Sequence, residues 1–267
     1  MMQPRVDLYT MAWNEMAMLD HFFRHYDPWV RRYIIYDDDS TDGTLERLAL
    51  HPRVEVRRFQ RDVADSFVLS AQALQNEFWK ESRGTADWVI VTAIDEFLYL
   101  PDMESYLIWC QEQGITLVPA LGYEMVSEDR PPAGSCLTEA IRSGVGSRDF
   151  NKLSLFQPDA IQETQFAPGR HNAAPMGRLC YPPRDELLLL HYKYIGRAYT
   201  LQRQNALNAG LGGTDLAKDF GAQYRKSENA FHDRFDTLKR HSFDVIAGGR
   251  DHHSFHRSPR WWRPENG

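Results

Sequence analysis

The chain has 267 residues, of which 42% are hydrophobic, so it is long enough for one large α/β core or two small ones. Its formal net charge is −6. Because proteins that bind nucleic acid through phosphates carry an excess of Lys and Arg, we expect no DNA or RNA partner.

The cysteines indicate a reducing compartment. Cys110, Cys136 and Cys180 are odd in number and widely spaced, which fits neither a disulfide framework nor a zinc site. No apolar run is long enough to cross a bilayer, and Asp7 interrupts the only stretch that could serve as a signal peptide. We therefore expect a cytoplasmic protein without a transmembrane segment, and peripheral contact with the inner face of the membrane stays open.

Short apolar runs alternate with amphipathic stretches in the first part of the chain, which is typical of βαβ units. The pattern predicts strands at 6–11, 33–36, 54–58 and 87–92, and helices at 15–26, 44–50 and 66–83. The fourth strand contains four consecutive apolar residues, Trp88 to Val91, which indicates burial on both faces, as in a central parallel strand.

The second part of the chain starts with a predicted helix at 102–113, capped by Asp102, and a strand at 115–121. Further strands are predicted at 152–157 and 186–194, and helices at 197–208 and 229–241. The sequence predicts a nucleotide-binding half at 1–123, a mobile polar loop at 124–149, an acceptor-side half of the same domain at 150–245 and a tail at 246–267.

An acidic cluster follows the second predicted strand. Asp37, Asp38 and Asp39 are adjacent, and Asp42 and Gly43 come shortly after them. In an open parallel sheet, ligands bind beyond the carboxyl ends of the strands. Adjacent carboxylates repel one another and need compensation from ligand hydroxyls, backbone N–H groups or a cation. The cluster is either a ligand site or a solvated turn with Asp42 and Gly43 at its tip.

Two further acids follow the fourth predicted strand, Asp95 and Glu96. A carboxylate at the end of a buried strand is costly unless it meets a metal, a charged partner or water. Ligation by a single Asp suits Mg²⁺ or Mn²⁺, because these ions keep several waters and take other oxygens from a diphosphate. A polar strand end that faces solvent is the alternative interpretation.

Taken with their spacing, three segments resemble the glycosyltransferase family 2-like proteins of the GT-A fold. They are Trp13-Asn14-Glu15 after the first strand, the acidic turn 37–44 after the second, and Asp95-Glu96-Phe97-Leu98 after the fourth. The resemblance covers roughly residues 1–100 and extends loosely into the second half. It implies an α/β fold of GT-A type, with a mostly parallel Rossmann-like central sheet flanked by helices and a helical C-terminal part.

The resemblance also implies a nucleotide-sugar donor, most simply linked to UDP or GDP, and a glycan or lipid-linked acceptor. In such enzymes the turn after the second strand holds the base and ribose, so Asp37, Asp39 and Asp42 are the expected donor contacts. The other residues expected at the donor site are Trp13, Asn14, Glu15, Lys152, His171 and Lys193. By chemistry alone, His171 fits a surface loop equally well.

A divalent cofactor, Mn²⁺ or Mg²⁺, is the next implication of the resemblance. The family has an Asp-x-Asp segment whose last acid matches Asp95, whereas Ala93 stands in the place of the first acid. One carboxylate is therefore left, and Glu96 is expected to substitute in part. By the resemblance His191 completes the metal site or touches the diphosphate, since a neutral imidazole can ligate Mn²⁺. A structural histidine at a strand end is the alternative.

For the reaction, the resemblance suggests inversion by direct displacement at the anomeric carbon. One carboxylate must then take the proton of the acceptor hydroxyl. Glu124 and Glu163 are the candidate bases, because each lies near a predicted strand end in the acceptor half. Lys152, Lys193 and Arg197 could neutralise phosphate. All of these residues could equally be solvated surface charges.

Two rival functions remain at this stage. A nucleotidyltransferase would use a similar fold, but no Gly-rich basic segment lies near the N-terminus. A binding protein that retains the fold without catalysis is the other rival, motivated by Ala93. Dinucleotide-dependent oxidoreduction is disfavoured because no G-x-G-x-x-G follows the first strand. The His-, Arg- and Trp-rich tail at 251–263 fits terminal disorder best.

Overall fold

The computed structural model describes residues 3–63, 65–247, 256 and 260–263. The strands are β1 Val6–Ala12, β2 Arg32–Asp37, β3 Val54–Arg58, β4 Trp88–Val91, β5 Glu96–Tyr99, β6 Leu117–Ser127, β7 Ser143–Gly146, β8 Lys152–Phe156, β9 Ile161–Glu163, β10 Met176–Gly177, β11 Leu188–Ile195 and β12 Phe243–Asp244. The helices are α1 Met16–Tyr26, α2 Thr44–Ala49, α3 Phe67–Glu77, α4 Met103–Glu112, α5 Leu137–Ala140, α6 Arg197–Ala209, α7 Gly213–Ala217 and α8 Glu228–His241. Short 3₁₀ turns lie at Phe78–Ser82, Arg148–Phe150, Pro168–Arg170 and Ala222–Arg225.

One mixed sheet organises the chain, in the order β12-β7-β6-β8-β4-β1-β2-β3. The neighbours β3, β2, β1 and β4 are all parallel to one another. Beyond β4 the strands β8, β6, β7 and β12 pair antiparallel. Strand β11 runs parallel to β6 and antiparallel to β5. The predicted α/β class, with a central sheet flanked by helices, is confirmed. The sheet was predicted to be mostly parallel, and its antiparallel pairs all involve strands from β5 onwards.

Both faces of the parallel half are covered by apolar side chains. Leu8 and Tyr9 are consecutive in β1 and are fully buried in different clusters, because successive side chains of a strand point to opposite faces. Leu8 packs in the cluster that contains Phe22 of α1, and Tyr9 in the cluster that contains Trp79. The whole of β4 is buried, as its apolar run predicted. The strand ends therefore occupy fixed positions at the edge of the sheet.

Segment 124–149, predicted as a mobile loop, contains regular structure. Strand β6 continues to Ser127, and α5 and β7 follow within the segment. The polar composition misled the prediction, because Glu124 and Met125 pair with β7 and Glu124 also pairs with β11. The sequence pattern also did not predict the short strand β5, which begins directly after Asp95. It exists because it pairs with the apolar strand β11.

A buried carboxylate ties the C-terminal helices to the parallel half. Asp215 of α7 is fully buried and accepts hydrogen bonds from the Ser66 hydroxyl and from the Phe67 backbone N–H at 2.8 Å. It thereby satisfies N–H groups at the start of α3, where a negative charge is favourable. The Gly212 backbone N–H also donates to it.

We expect Asp215→Asn to destabilise the fold by about 1–3 kcal/mol, because a buried hydroxyl and buried N–H groups lose a charged acceptor. Urea unfolding measures this loss. Asp219→Asn is the matched control, because Asp219 is exposed and forms an ion pair with Arg225. Equal midpoints for the two variants would contradict the role given to Asp215.

Across the described ranges, no helix has both the length and the apolar composition that crossing a bilayer would require. Of the tail predicted at 246–267, the structure describes 246–247, 256 and 260–263. There Trp262 is buried in the core and Arg260 and Arg263 pair with Asp185, so the predicted disorder is wrong for these residues. The rest of the tail lies outside the described residues.

Candidate active site

Polar segments meet where the parallel strands end. Strands β1 and β2 run side by side with Ala12 opposite Asp37, so the chain leaves both strands at the same edge. Strand β4 is parallel to β1 on its other side and leads into the turn that carries Asp95. The segments that the sequence singled out after the first, second and fourth strands therefore share one edge of the sheet, where open α/β sheets bind ligands.

Residues 13–15 and 37–44 form one hydrogen-bonded unit, which we call the N-terminal rim. The Asn14 side-chain oxygen accepts from the Thr41 backbone N–H at 2.7 Å, and the Asn14 N–H donates to the Ser40 hydroxyl at 2.8 Å. The Glu15 N–H donates to the Thr44 hydroxyl at 2.8 Å. Asn14 adopts a left-handed backbone conformation with φ 53°. The rim is therefore fixed by its own polar groups.

The three aspartates predicted to contact the donor differ in their surroundings. Asp42 accepts from the Thr44 N–H and hydroxyl, so it caps the start of α2. Asp39 is 71% exposed and pairs with Arg58. Asp37 is buried, and its Oδ2 accepts from the Ser40 N–H at 2.9 Å. Its Oδ1 has no hydrogen-bond partner among the described residues, which leaves a buried acceptor in need of a donor.

Asp95 and His191 face each other across the end of the sheet. The His191 Nε2 lies 3.2 Å from the Asp95 Oδ2, and the Asp95 carbonyl accepts from the Tyr192 N–H at 2.8 Å. The Asp95 side chain keeps 34% of its surface exposed, whereas that of His191 keeps 8%. Burial by itself would raise the pKa of Asp95, but His191 outweighs it and the pKa is lowered. Asp95 is therefore an ionised carboxylate with one open side.

Glu124 lies on the other side of the same imidazole. Strands β6 and β11 place Glu124 opposite His191, with Glu124 Oε1 4.0 Å from His191 Nδ1. The other oxygen of Glu124 accepts from Arg234 at 2.7 Å. His191 Nδ1 is buried without a partner in the described part of the chain, and Phe150 stacks on the ring with centroids 4.1 Å apart. The imidazole is thus held between two carboxylates.

Glu96 is occupied by two buried cations and does not face the cleft as a free ligand. Its Oε1 accepts from Lys152 at 2.6 Å, and its Oε2 accepts from Arg170. Arg170 also donates to the Val91 carbonyl at the end of β4. Lys152 is therefore a buried partner of Glu96 and not a phosphate ligand at the surface. No sequence pattern pointed to Arg170, which lies in a loop with φ 58°.

Helix α6 closes the cleft from the C-terminal half. Arg203 donates to the Trp13 carbonyl at 2.9 Å and to the Glu15 carboxylate, and its guanidinium lies 5.3 Å from the centre of the Trp13 ring. Burial raises the pKa of Glu15 to about 8, although Arg203 lowers it, and the charges of Asp95 and Asp42 contribute to the rise. Glu15 therefore lies within electrostatic range of Asp42 in the N-terminal rim and of Asp95 after β4.

The remaining predicted residues have different positions. Glu163 lies on the separate β9-β10 ribbon, where Lys80 binds it at 2.7 Å. His171 is exposed, and its Nδ1 contacts the Asp149 carbonyl. Arg197 pairs with Glu128 and Asp236. Lys193, predicted at the donor site, has its Nζ 4.8 Å from the centre of the Tyr224 ring.

The side chains present fit a divalent ion only in part. Asp95 and His191 supply one oxygen and one nitrogen about 3 Å apart, the separation of two neighbouring ligands of an octahedral ion with bonds of about 2.1 Å. Within the described ranges, however, no three His, Cys, Asp or Glu residues are grouped as a metal site. Ala93 offers no oxygen ligand from its side chain, and Glu96 is held by Lys152 and Arg170. The described side chains therefore supply two neighbouring ligand atoms, from Asp95 and His191.

The sequence matches no protein-family model and no curated protein. Among solved structures, S. aureus TarS, a glycosyltransferase, is similar over 46% of this chain with 11% identity and a TM-score of 0.31. The chain spans 22% of the length of the TarS chain in that match.

An open groove of about 770 Å³ lies at the opposite edge of the sheet. Arg32 and Arg53, at the amino ends of β2 and β3, line it together with Arg57 from further along β3. These arginines already pair with carboxylates of Asp7, Asp27, Glu55 and Glu81. The groove therefore offers less free positive charge than its arginines suggest.

Proposed function

We propose that this protein is a glycosyltransferase of GT-A type that moves a sugar from a nucleotide-sugar donor to a glycan or lipid-linked acceptor. The observation that carries the proposal is the shared edge: the N-terminal rim and the pair Asp95 and His191 border one cleft at the carboxyl ends of β1, β2 and β4. Helix α6 covers this cleft through Arg203. No nucleic-acid partner is part of the proposal.

The rim is the proposed donor nucleotide site. The buried Asp37 Oδ1 lacks a donor among the described residues, and an N–H group of a nucleobase or a ribose hydroxyl would supply one. The Trp13 ring offers an aromatic face beside it. In this proposal Asn14 and Asp42 act on the donor indirectly, because both are used to hold the rim together.

The proposed reaction is a single displacement. The acceptor oxygen forms a bond to the anomeric carbon while the bond from that carbon to the diphosphate oxygen breaks, and the electron pair stays on the diphosphate. The proton of the acceptor hydroxyl passes to a carboxylate. Glu124 is the proposed base, because it lies beside the Asp95 and His191 pair, whereas Glu163 lies on the separate β9-β10 ribbon. Inversion of the anomeric centre follows from a single displacement.

A panel of UDP- and GDP-linked sugars tests the proposal. We expect at least one of them to raise the melting temperature, since a ligand that binds only the folded state stabilises it. We also expect slow release of UDP or GDP from that donor, with water as the acceptor. Release of pyrophosphate from a nucleoside triphosphate and a sugar phosphate would instead identify a nucleotidyltransferase. If the protein neither binds nor hydrolyses any nucleotide-sugar of the panel, the proposal is refuted.

A binding protein without catalysis is the second candidate. It is favoured by one specific observation: Ala93 and the engagement of Glu96 leave Asp95 as the one carboxylate of the β4-β5 turn that is open to the cleft. The same donor panel separates the two candidates. Binding of a nucleotide-sugar with no release of nucleoside diphosphate over hours would favour the binding protein.

A further inference from the structure

Three cations in the cleft lie on aromatic rings. Arg203 lies 5.3 Å from the ring centre of Trp13, Arg130 lies 4.5 Å from that of Tyr199, and Lys193 lies 4.8 Å from that of Tyr224. A cation over an aromatic face is held in place without its charge being neutralised by a carboxylate.

Helix α6 contributes to two of these pairs. Tyr199 and Arg203 are four residues apart in α6, so they lie on the same face of the helix. Arg203 also contacts the Trp13 carbonyl of the N-terminal rim. Lys193, Tyr199 and Tyr224 lie within electrostatic range of Asp95, since its charge contributes to the pKa of all three, although burial is the larger influence.

Two of the three cations have no carboxylate partner in the ranges that the structure describes. Lys193 makes no ion pair there, and Arg130 uses one N–H to bind the Ala17 carbonyl while its Nε is buried without a partner. Arg203 is shared between the Trp13 carbonyl and Glu15. A half-buried cation without a counter-ion is costly, and a bound anion would remove that cost.

Among the described residues, the β4-β5 turn supplies a single open carboxylate, Asp95, because Ala93 has none and Glu96 is held by Lys152 and Arg170. The positive charge that a diphosphate leaving group needs is nevertheless available from side chains. Lys and Arg are the usual donors to phosphate oxygens, and two or three of them can balance the charge that a divalent ion would supply.

We propose that Lys193, Arg203 and Arg130 bind the donor diphosphate directly, so that binding of the nucleoside diphosphate does not require a divalent metal. This inference rests on the proposed function and adds the means by which its leaving group is held. The aromatic rings fix the three cations around the position of the diphosphate. The developing negative charge on the departing diphosphate oxygen is then stabilised by groups that are already in place.

Calorimetric titration of the full chain with UDP and GDP tests the inference, first with EDTA and then with Mn²⁺. We expect the dissociation constant of the nucleotide that binds to change less than about threefold between the two buffers. Lys193→Met should weaken binding about tenfold or more, because one charge-assisted hydrogen bond to phosphate is lost. Lys193→Arg should retain most of the affinity, and Lys218→Met, an exposed site on the same half, should bind like the wild type.

The melting temperature of each variant shows whether it is folded, and Arg130→Met, which removes another of the three charges, replaces Lys193→Met if that variant does not fold. Binding that disappears in EDTA and returns with Mn²⁺, or binding that the charge-removing variant leaves unaffected, would overturn the inference while leaving the proposed function intact. If the wild type binds neither nucleotide in either buffer, the proposed function fails and the inference fails with it.

Discussion

Asp95→Asn is expected to lower kcat/KM for glycosyl transfer about 10- to 100-fold, the size of one lost charge-assisted hydrogen bond. Asp95 keeps one open side towards the cleft, and His191 binds its other side. Removing the charge takes away an acceptor for donor hydroxyls and leaves His191 beside a neutral amide. The isosteric change keeps the turn, because the Asp95 backbone carbonyl still accepts from Tyr192.

Initial rates of nucleoside diphosphate release, measured with the donor identified by the panel, give this comparison. Asp233→Asn is the matched control, since Asp233 is exposed on α8 and its side chain makes no contact with the cleft residues named above. The control should retain wild-type rates. If the Asp95 variant turns over at the wild-type rate, Asp95 does not take part in the reaction, and the role assigned to it at the shared edge of the sheet is contradicted.

Glu96→Gln is expected to destabilise the fold by about 3–5 kcal/mol, because it leaves two buried cations without their carboxylate. Lys152 and Arg170 are 5% and 2% exposed, so water cannot replace the lost charge. Lys152→Met is the informative partner variant. It leaves Glu96 with Arg170 as a neutral pair, and we expect it to cost much less. Denaturant unfolding of the two variants should therefore give clearly different midpoints. An equal loss of stability in both would contradict this description of the triad formed by Glu96, Lys152 and Arg170.

The same triad predicts a dependence of stability on pH. Burial alone would raise the pKa of Glu96, but the charges of Arg170 and Lys152 outweigh it and hold the pKa well below its usual range. The stabilisation is therefore complete above the pKa of about 4.3 of an unfolded Glu and is lost as the pH falls through the lower folded value. We expect wild type and Glu96→Gln to differ most at neutral pH and to converge in acid, as measured by unfolding at a series of pH values.

The parallel half of the fold was predictable because its signals are local. Runs such as Trp88 to Val91 determine strands by themselves, and Asp102 caps α4 by accepting from the Ser105 N–H three residues along the chain. The strands within 124–149 could not be predicted from local signals. The end of β6 pairs with β11, and β7 pairs with β6 and β12, and pairing between distant segments leaves no periodic trace in either segment alone.

The candidate site was predictable to the extent that it follows strand ends. Asp37 and Asp95 were found because acids after buried strands stand out in the sequence. Arg203 is 188 residues from Glu15, and Arg170 is 74 residues from Glu96. A single arginine in a helix or loop gives no sign of such a partner. The roles of Glu96 and Lys152 were missed for the same reason, since each is half of a pair.

Hydrogen exchange of the backbone amides with and without a saturating nucleoside diphosphate tests the central claim most directly, because it reports where the ligand binds. If the cleft at the carboxyl edge is the donor site, protection will appear in residues 12–16, 37–44 and 92–96 and in α6. Protection confined to residues 31–32 and 52–57, which line the groove at the opposite edge, would place the ligand on the wrong side of the sheet and contradict the assignment.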